Sequence, residues 1–202
     1  MTDVRFNKIL IWLNALVPLA LLGYDAIRGQ LGANPVEFFL RTTGVLTLVF
    51  VLITLSITPL RKITGNNQLI KYRRILGLFA FFYGAVHLTT YFVFDRGGSL
   101  SSTVSDVVQR PFIAFGMLAF FLMIPLALTS TNASIKRLGG KRWQLLHRLI
   151  YATGIFGVIH FWMIVKSDIR YPILFGLILA VLLGYRLYAR YKPKTVVQRS
   201  AA

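Results

Sequence analysis

The sequence contains no cysteine and only six acidic residues among its 202. The missing thiols exclude disulfide bonds, thiol catalysis and iron–sulfur clusters held by thiolates. Charged residues make up 14% of the chain and hydrophobic residues 56%, whereas a soluble domain carries about 25% charged residues. Apolar surface on this scale requires a lipid solvent, so the composition predicts an integral membrane protein.

Nucleotide-binding patterns are also missing from the chain. No glycine-rich phosphate loop follows a strand, and strands and helices do not alternate along the sequence, so we expect no nicotinamide-binding domain here. The 23 Lys and Arg residues cap hydrophobic runs and form no soluble basic face. This placement argues against a nucleic-acid partner.

Six long runs without Asp, Glu, Lys or Arg dominate the sequence. At about 1.5 Å of rise per residue, each is close to the length that crosses a hydrocarbon core about 30 Å thick. We therefore predict an all-α integral membrane protein with a single transmembrane domain, residues 1–202, built as a six-helix bundle. The predicted spans are about 9–27, 42–60, 75–94, 111–132, 147–165 and 171–189.

The positive charges are distributed unevenly between the two sides of these spans. If the N-terminus is inside, seventeen Lys and Arg lie on inner segments with one acid, Asp3, and six lie on outer loops with the five other acids. The positive-inside rule then places both termini in the cytoplasm. The basic excess also predicts attraction to anionic membrane lipid. The inner set includes Lys192, Lys194 and Arg199 at the C-terminus.

Short motifs mark the expected helix ends. Asn34-Pro35 is a helix start signal and predicts a short surface helix before the second span. Residues 95–110 are rich in Gly and Ser and then amphipathic, and Pro111 is a good first residue for the fourth span. Gly139-Gly140 predicts a helix stop in the inner loop.

Two of the three histidines lie deep in apolar spans. His87 follows Arg74 by about 13 residues, and His160 follows His147 by about the same number, which corresponds to about 20 Å of rise. Both spans run outward, so we expect His87 and His160 at one level, nearer the outer face. Two imidazoles facing each other can occupy both axial positions of a haem, and bundle cores hold cofactors in this way.

Two glycines are spaced to share a helix face with these histidines. Gly84 precedes His87 by three residues and Gly157 precedes His160 by three, so each pair shares one face. A glycine there would leave room for a flat macrocycle. Close helix packing is the alternative explanation, because small residues are common in membrane helices.

The third histidine, His147, is expected at the cytoplasmic edge, where the third span offers Arg73 and Arg74 in place of a histidine. It is a candidate ligand of an inner haem, a contact for a quinone or flavin headgroup, or an interfacial residue. Nearby arginines are candidates to bind haem propionates or a flavin phosphate, although topology alone also explains them. These are Arg73, Arg74, Arg142 and Arg148.

Three classes of function remain open from the residues alone. The first is a haem-containing electron-transfer subunit without its own substrate-converting site, whose acceptor could be a protein, ferric iron or a quinone. The second is a transporter or proton relay with titrating histidines, although no acid lies within the predicted spans, as proton pathways usually require. The third is a scaffold with structural histidines.

Longer stretches carry a resemblance to a known family. The segments YRRILGLFAFFYGAVHLTTYFVFD (residues 72–95) and RLGGKRWQLLHRLIYATGIFGVIHFW (residues 137–162) resemble the ferric-reductase-like transmembrane superfamily. Within it, the chain is most similar to the haem-binding membrane subunits of bacterial methionine sulfoxide reductase systems. LGANPVE, LITLSITPLRKI, RPFIAFGMLAF and PLALTST extend the match over nearly the whole chain.

The resemblance implies a bacterial inner-membrane protein that binds haem b and also FMN. It implies electron transfer from a cytoplasmic flavin reductase or quinol to a periplasmic molybdenum-containing reductase that repairs oxidised methionine. His87 and His160 would be the outer haem ligands and His147 a further haem-linked residue. The superfamily's larger oxidases have a fourth histidine and fused flavin and nicotinamide domains, so a second haem stays open here and electrons must come from another donor.

Overall fold

The computed structural model describes residues 4–191, and Asp3, Lys192, Lys194 and Arg199 lie outside this range. Within it the chain forms nine α-helices, a 3₁₀ turn at Asn67–Lys71 and a π-helical turn at Tyr91–Asp95. The helices are α1 (Val4–Ile27), α2 (Pro35–Thr64), α3 (Arg73–Thr90), α4 (Leu100–Gln109), α5 (Pro111–Leu128), α6 (Asn132–Leu138), α7 (Gly140–Leu146), α8 (Leu149–Ile164) and α9 (Arg170–Tyr191).

Six helical stretches are long and apolar enough to cross a membrane. They are α1, α2, α3 with its π-helical turn, α5, α7 continued into α8, and α9. Each predicted span overlaps one of these stretches. The second differs most, because α2 begins at Pro35 and the expected surface helix forms its first turns.

The helix ends follow the local sequence. Asn34 caps α2, since its side chain accepts a hydrogen bond from the Glu37 amide at 3.1 Å, and Pro35 occupies the first helical position. Gly65 ends the same helix with φ of 69° and Gly139 ends α6 with φ of 74°, values that favour glycine. Pro111 begins α5. The start and stop signals read from the sequence therefore agree with these ends.

Four helices form the centre of the bundle. α2 packs along α3, and α5 packs along α8, while α3 also contacts α5 and α2 also contacts α8. This arrangement puts α3 and α8 diagonally opposite each other. α1 packs outside α2 and α3, and α9 packs outside α2 and α8. The outer helices expose many large apolar side chains, among them Leu13, Leu21, Leu177 and Val181, as expected for helices that face lipid.

A cluster of buried side chains joins the first three spans. Tyr83 is fully buried and donates a hydrogen bond to the backbone carbonyl of Ala15 in α1. Its ring stacks on Phe50 at 5.5 Å between centroids, and Phe50 stacks on Phe79 at 5.6 Å. These contacts fix α3 against α2 and so set the position of the residues further along α3.

A proline in α2 leaves one backbone carbonyl without its helical hydrogen bond, and a side chain of α9 donates to that carbonyl instead. Pro59 has no backbone N–H, so the carbonyl of Leu55, four residues earlier, receives no helical hydrogen bond from it. The Arg186 guanidinium donates Nη2–H to this carbonyl at 2.7 Å and Nη1–H to the Tyr151 hydroxyl at 3.1 Å. Neighbouring helices commonly satisfy carbonyls freed by proline in membrane proteins. Arg186 thereby ties α9 to α2 and α8.

We expect Arg186→Leu to destabilise the protein by about 1–3 kcal/mol, because it leaves the buried Leu55 carbonyl without a donor. In a Pro59→Ala background the residue 59 amide can donate to the same carbonyl, so the cost of Arg186→Leu should be smaller. Thermal unfolding of the four proteins of this double-mutant cycle in detergent measures the difference. Strictly additive effects would contradict the link between Pro59 and Arg186.

Candidate functional site

The bundle has two ends of different charge. The basic end contains the last turns of α2 and α9, the first turn of α3, and helices α6 and α7, with Arg61, Arg73, Lys141 and Arg190 among its residues. The opposite, mixed-charge end contains all five acids of the described chain. They are Asp25, Glu37, Asp95, Asp106 and Asp168.

His87 and His160 come together in the half of the bundle nearer the mixed-charge end. His87 lies near the end of α3 and His160 near the end of α8. Their ring centroids are 6.3 Å apart and the ring planes are inclined by 85°. The two rings thus lie at one level, as the residue spacing predicts, and they approach each other across the diagonal of the central four helices.

Each of the two rings is held by a backbone carbonyl of a neighbouring helix. Nδ1 of His87 lies 3.0 Å from the carbonyl oxygen of Leu40 in α2, and Nδ1 of His160 lies 2.6 Å from that of Phe112 in α5. The Thr43 hydroxyl lies 3.4 Å from the same His87 nitrogen. Because a carbonyl only accepts, both Nδ1 atoms carry the proton, which leaves a lone pair on each Nε2.

Glycines make room for both rings, although not the glycines expected from the sequence. A Cβ atom added at Gly44 of α2 would lie 3.2 Å from Cε1 of His87. One added at Gly116 of α5 would lie 2.8 Å from Cε1 and Nδ1 of His160. Each glycine lies four residues, about one turn, after the carbonyl that holds the ring. Sequence reasoning missed both, since only the pairing of α2 with α3 and of α5 with α8 brings them to the histidines.

The predicted glycines Gly84 and Gly157 pack against other side chains. A Cβ added at Gly84 would lie 3.3 Å from the Phe120 ring, and one at Gly157 would lie 3.3 Å from Leu48. These contacts fit the close-packing explanation. Their role beside a macrocycle stays a prediction.

His147 lies apart from this pair, at the basic end between α7 and α8. Its Nε2 is 3.0 Å from the Thr129 hydroxyl, which itself donates to the Pro125 carbonyl at 2.6 Å. The hydroxyl therefore accepts from Nε2–H, and the lone pair of His147 is on Nδ1. Trp143 stacks on the ring at 3.9 Å and donates to the Thr129 carbonyl at 2.9 Å.

The four candidate arginines have different surroundings. Arg73 and Arg74 begin α3, and their charges act on His147. Arg73 is half-buried and its charge also meets that of Arg186. Arg142 and Arg148 are exposed. Arg73 and Arg74 thus lie at the same basic end as His147, and their role in binding a cofactor stays a prediction.

The mixed-charge end contains a polar network that the sequence did not indicate. Asp106 of α4 is buried. It accepts a hydrogen bond from the Tyr91 hydroxyl at 2.9 Å and forms an ion pair with Arg96 at 2.9 Å. Hydrogen bonding to Asp95 and the charges of both carboxylates raise the pKa of Arg96. The network holds α4 against the π-helical turn that follows α3, close in sequence to His87.

Comparisons with known proteins agree with this architecture. Residues 41–159 match the family described as ferric reductase like transmembrane component. A protein of Ralstonia nicotianae is 49% identical over 92% of this chain and 87% of its own length, and it is named protein-methionine-sulfoxide reductase heme-binding subunit MsrQ. Proteins with the same name from Herminiimonas arsenicoxydans and Xanthomonas oryzae pv. oryzae are 48% and 44% identical, over 93% and 100% of this chain and 87% and 94% of their own lengths.

The chain belongs to the MsrQ family. The resemblance to ferric-reductase-like transmembrane proteins is therefore confirmed, as is the all-α membrane fold with six spans. Membership of a transmembrane family and six apolar helices make this chain a multi-pass membrane protein. The matched region contains His87 and His147 and ends one residue before His160.

We expect Gly116→Ala to destabilise the protein by about 1–3 kcal/mol, because the new methyl group would overlap the His160 ring that the Phe112 carbonyl holds in place. Gly44→Ala should cost less, since its methyl group would be farther from His87. Gly184→Ala in α9 is the matched control, as nothing lies within 4 Å of its added Cβ. Thermal unfolding in detergent gives the order, and equal effects at Gly116 and Gly184 would contradict it.

Proposed function

We propose that this MsrQ-family protein is a haem b-binding electron-transfer subunit of a methionine sulfoxide reductase system in the bacterial inner membrane. In this proposal it accepts electrons from a cytoplasmic flavin reductase or quinol and delivers them to a periplasmic molybdenum-containing reductase. It has no substrate-converting site of its own. The names of its relatives and its ferric-reductase-like membrane domain support a haem-binding, electron-transfer role.

The disposition of His87 and His160 is the observation that carries the proposal. If His87 and His160 bound one iron from opposite sides through bonds of about 2.0 Å, with each nitrogen about 1.1 Å from its ring centroid, the two centroids would lie about 6.2 Å apart. The observed separation is 6.3 Å. Both Nε2 lone pairs are free of hydrogen bonds within residues 4–191. His87 and His160 therefore fit as the two residues that would hold a haem iron.

The carbonyls of Leu40 and Phe112 support this assignment. Metal-bound histidines usually donate their second ring N–H to a carbonyl or carboxylate, which fixes the ring orientation and strengthens the ligand. A haem bound there would supply a one-electron couple of its iron. The protein contributes ligand basicity and an apolar environment, which are the features that tune such a couple.

Electron entry is proposed to take place at the basic end. Arg73 begins α3 and His87 lies about 14 residues, or about 21 Å of rise, further along the helix. A cytoplasmic donor is thus separated from the histidine pair by most of the membrane core, so a second carrier near His147 is part of the proposal. A second haem, FMN and a quinone are the candidates, with Arg73 and Arg74 as the charged residues beside them.

The orientation of the protein follows from the charge asymmetry. With the basic end in the cytoplasm, as the positive-inside rule requires, both termini are cytoplasmic and the histidine pair lies nearer the periplasm. In this orientation the pair is on the side of the proposed molybdenum-containing partner. Exposed Arg142 and Arg148 are proposed to contribute to the cytoplasmic surface that the donor approaches.

We expect His87→Ala and His160→Ala each to abolish the main low-spin b-type signal, because either change removes one of the two imidazoles that would hold the iron. A reduced-minus-oxidised visible spectrum of each purified variant measures this loss. A pyridine haemochrome assay gives haem per chain. Full haem content with an unchanged spectrum in both variants would refute the pairing.

We expect His147→Ala to keep the histidine-pair signal while slowing reduction by a cytoplasmic flavin reductase, since it alters the basic end only. Thr129→Val is the companion variant, because it removes the acceptor of the His147 Nε2–H. Stopped-flow reduction monitored at the haem bands gives the rate. If both variants are reduced at the wild-type rate, His147 has no part in electron entry.

A further inference from the structure

Helix α4 exposes a stripe of large apolar side chains at the mixed-charge end of the bundle. Leu100, Val104 and Val108 follow one another at intervals of four residues, so they share one side of the helix. Their exposed fractions are 69%, 55% and 79%. We call this row the apolar stripe. Contact of such a continuous row with water is unfavourable, and a surface of this kind normally has a partner.

A second exposed side of α4 is polar. Ser101, Ser105 and Gln109 are exposed, and at about 100° per residue they form a row about 100° around the helix from the apolar stripe. We call this row the polar stripe. Within it the Gln109 amide donates to the Ser105 hydroxyl at 2.8 Å. The exposed surface of α4 is therefore divided along the helix axis into an apolar half and a polar half.

The third side of α4 faces the bundle. Thr103 and Asp106 are buried, and their side of the helix lies roughly 130° from either stripe. Besides its bonds to Tyr91 and Arg96, the Asp106 carboxylate lies 3.5 Å from Nε of Arg110. These contacts fix the rotation of α4 about its axis. The apolar stripe is therefore held away from the bundle.

Short links hold α4 at the membrane surface. The span formed by α3 and its π-helical turn ends at Asp95, and the next span begins at Pro111. Four residues join the first span to α4 and one residue joins α4 to the second. Because four residues reach at most about 14 Å, α4 lies beside the ends of two membrane-crossing helices. This is the level at which acyl chains meet lipid headgroups.

We infer that α4 is an interfacial anchor helix, whose apolar stripe inserts into the lipid leaflet at the mixed-charge end while its polar stripe faces water. Amphipathic helices of this kind lie in the plane of the interface, with the apolar side about 5–10 Å deep at the boundary of headgroups and acyl chains. The buried Asp106 network determines which side of α4 meets the lipid.

Two observations favour lipid over a protein as the partner of the apolar stripe. The lengthwise division of α4 into an apolar and a polar half matches the boundary between lipid and water, whereas a protein that covered the whole exposed surface would not require this division. In addition, Phe94 at the end of the preceding span is 70% exposed. The lipid-facing surface of that span thus extends to the turn that carries α4.

This inference rests on the membrane-spanning fold and not on the proposed function. The outcome of the haem and electron-transfer experiments therefore leaves it unchanged, and its own failure would leave the histidine pair unaffected.

The absence of cysteine makes a direct test possible, because any cysteine introduced is the only labelling site in the chain. Val104→Cys and Val108→Cys place a fluorescent label on the apolar stripe. Ser101→Cys and Ser105→Cys are the matched controls on the polar stripe of the same helix. All four positions are exposed, so the variants should fold, and melting temperatures verify this. Each labelled protein is reconstituted into phosphatidylcholine vesicles.

Two quenchers then report the surroundings of each label. Iodide, present on both sides of the vesicle, quenches labels in water, and a nitroxide near the headgroup end of the lipid acyl chain quenches labels in the interface. We expect the ratio of nitroxide to iodide quenching to be about three-fold or more higher at positions 104 and 108 than at 101 and 105, because only the apolar stripe lies below the headgroups.

Two results would overturn the inference. If iodide quenches the labels at 104 and 108 as strongly as those at 101 and 105, the apolar stripe faces water and is open to a soluble protein. If the labels at 104 and 108 are protected from both quenchers, another protein surface, such as a second copy of this chain, covers the stripe in place of lipid.

Discussion

The two hydrogen bonds from histidine Nδ1–H to the carbonyls of Leu40 and Phe112 are the constraint on which the candidate site depends. An imidazole inside a membrane bundle is costly unless its polar atoms are satisfied. A helix carbonyl has two lone pairs, so it can accept from a histidine while it keeps its helical bond. The bonds fix the tautomer and the ring direction together, and both Nε2 atoms are left free for a ligand.

The same local arrangement occurs twice in the bundle. In each helix pair, one helix supplies a carbonyl and then, one turn later, a glycine, and the other supplies the histidine. The separation in sequence from carbonyl to histidine is 47 residues in the α2–α3 pair and 48 in the α5–α8 pair. Two similar helix pairs packed side by side therefore bring two similar histidines face to face. The glycines are essential to this geometry, because a methyl group at Gly116 would meet the His160 ring.

The sequence correctly predicted the features that depend on a single helix. Span positions follow from the apolar runs, the caps at Asn34 and Gly139 follow from local motifs, and the shared level of His87 and His160 follows from residue counts. The contacts that depend on which helices pack side by side were missed. Gly44 and Gly116 acquire their role only through helix pairing, and nothing in the local sequence separates them from Gly84 or Gly157.

The break between α7 and α8 and the burial of Asp106 were missed for the same reason. The last turn before His147 is set by contacts of Trp143 and His147 with Thr129 at the end of α5. In the sequence, Asp106 resembles any other polar residue of an outer loop. Only the structure shows that Tyr91 and Arg96 bind its carboxylate. In both cases a polar group from a different span decides the local structure.

The two halves of the protein bury different kinds of ionisable side chain, imidazoles in one half and a guanidinium in the other. An imidazole can be buried in its neutral form, which has one N–H and one lone pair, so the half nearer the mixed-charge end holds candidate ligands without a fixed charge. A guanidinium remains charged at any accessible pH, so burial of Arg186 requires acceptors, and Pro59 creates one by freeing the Leu55 carbonyl. A hydrogen bond to this one carbonyl compensates only part of the cost of removing the guanidinium charge from water. The remaining positive potential at the basic end favours the binding of negatively charged groups there. The uncharged histidine pair, in contrast, is suited to a metal ion whose other ligands belong to its own cofactor.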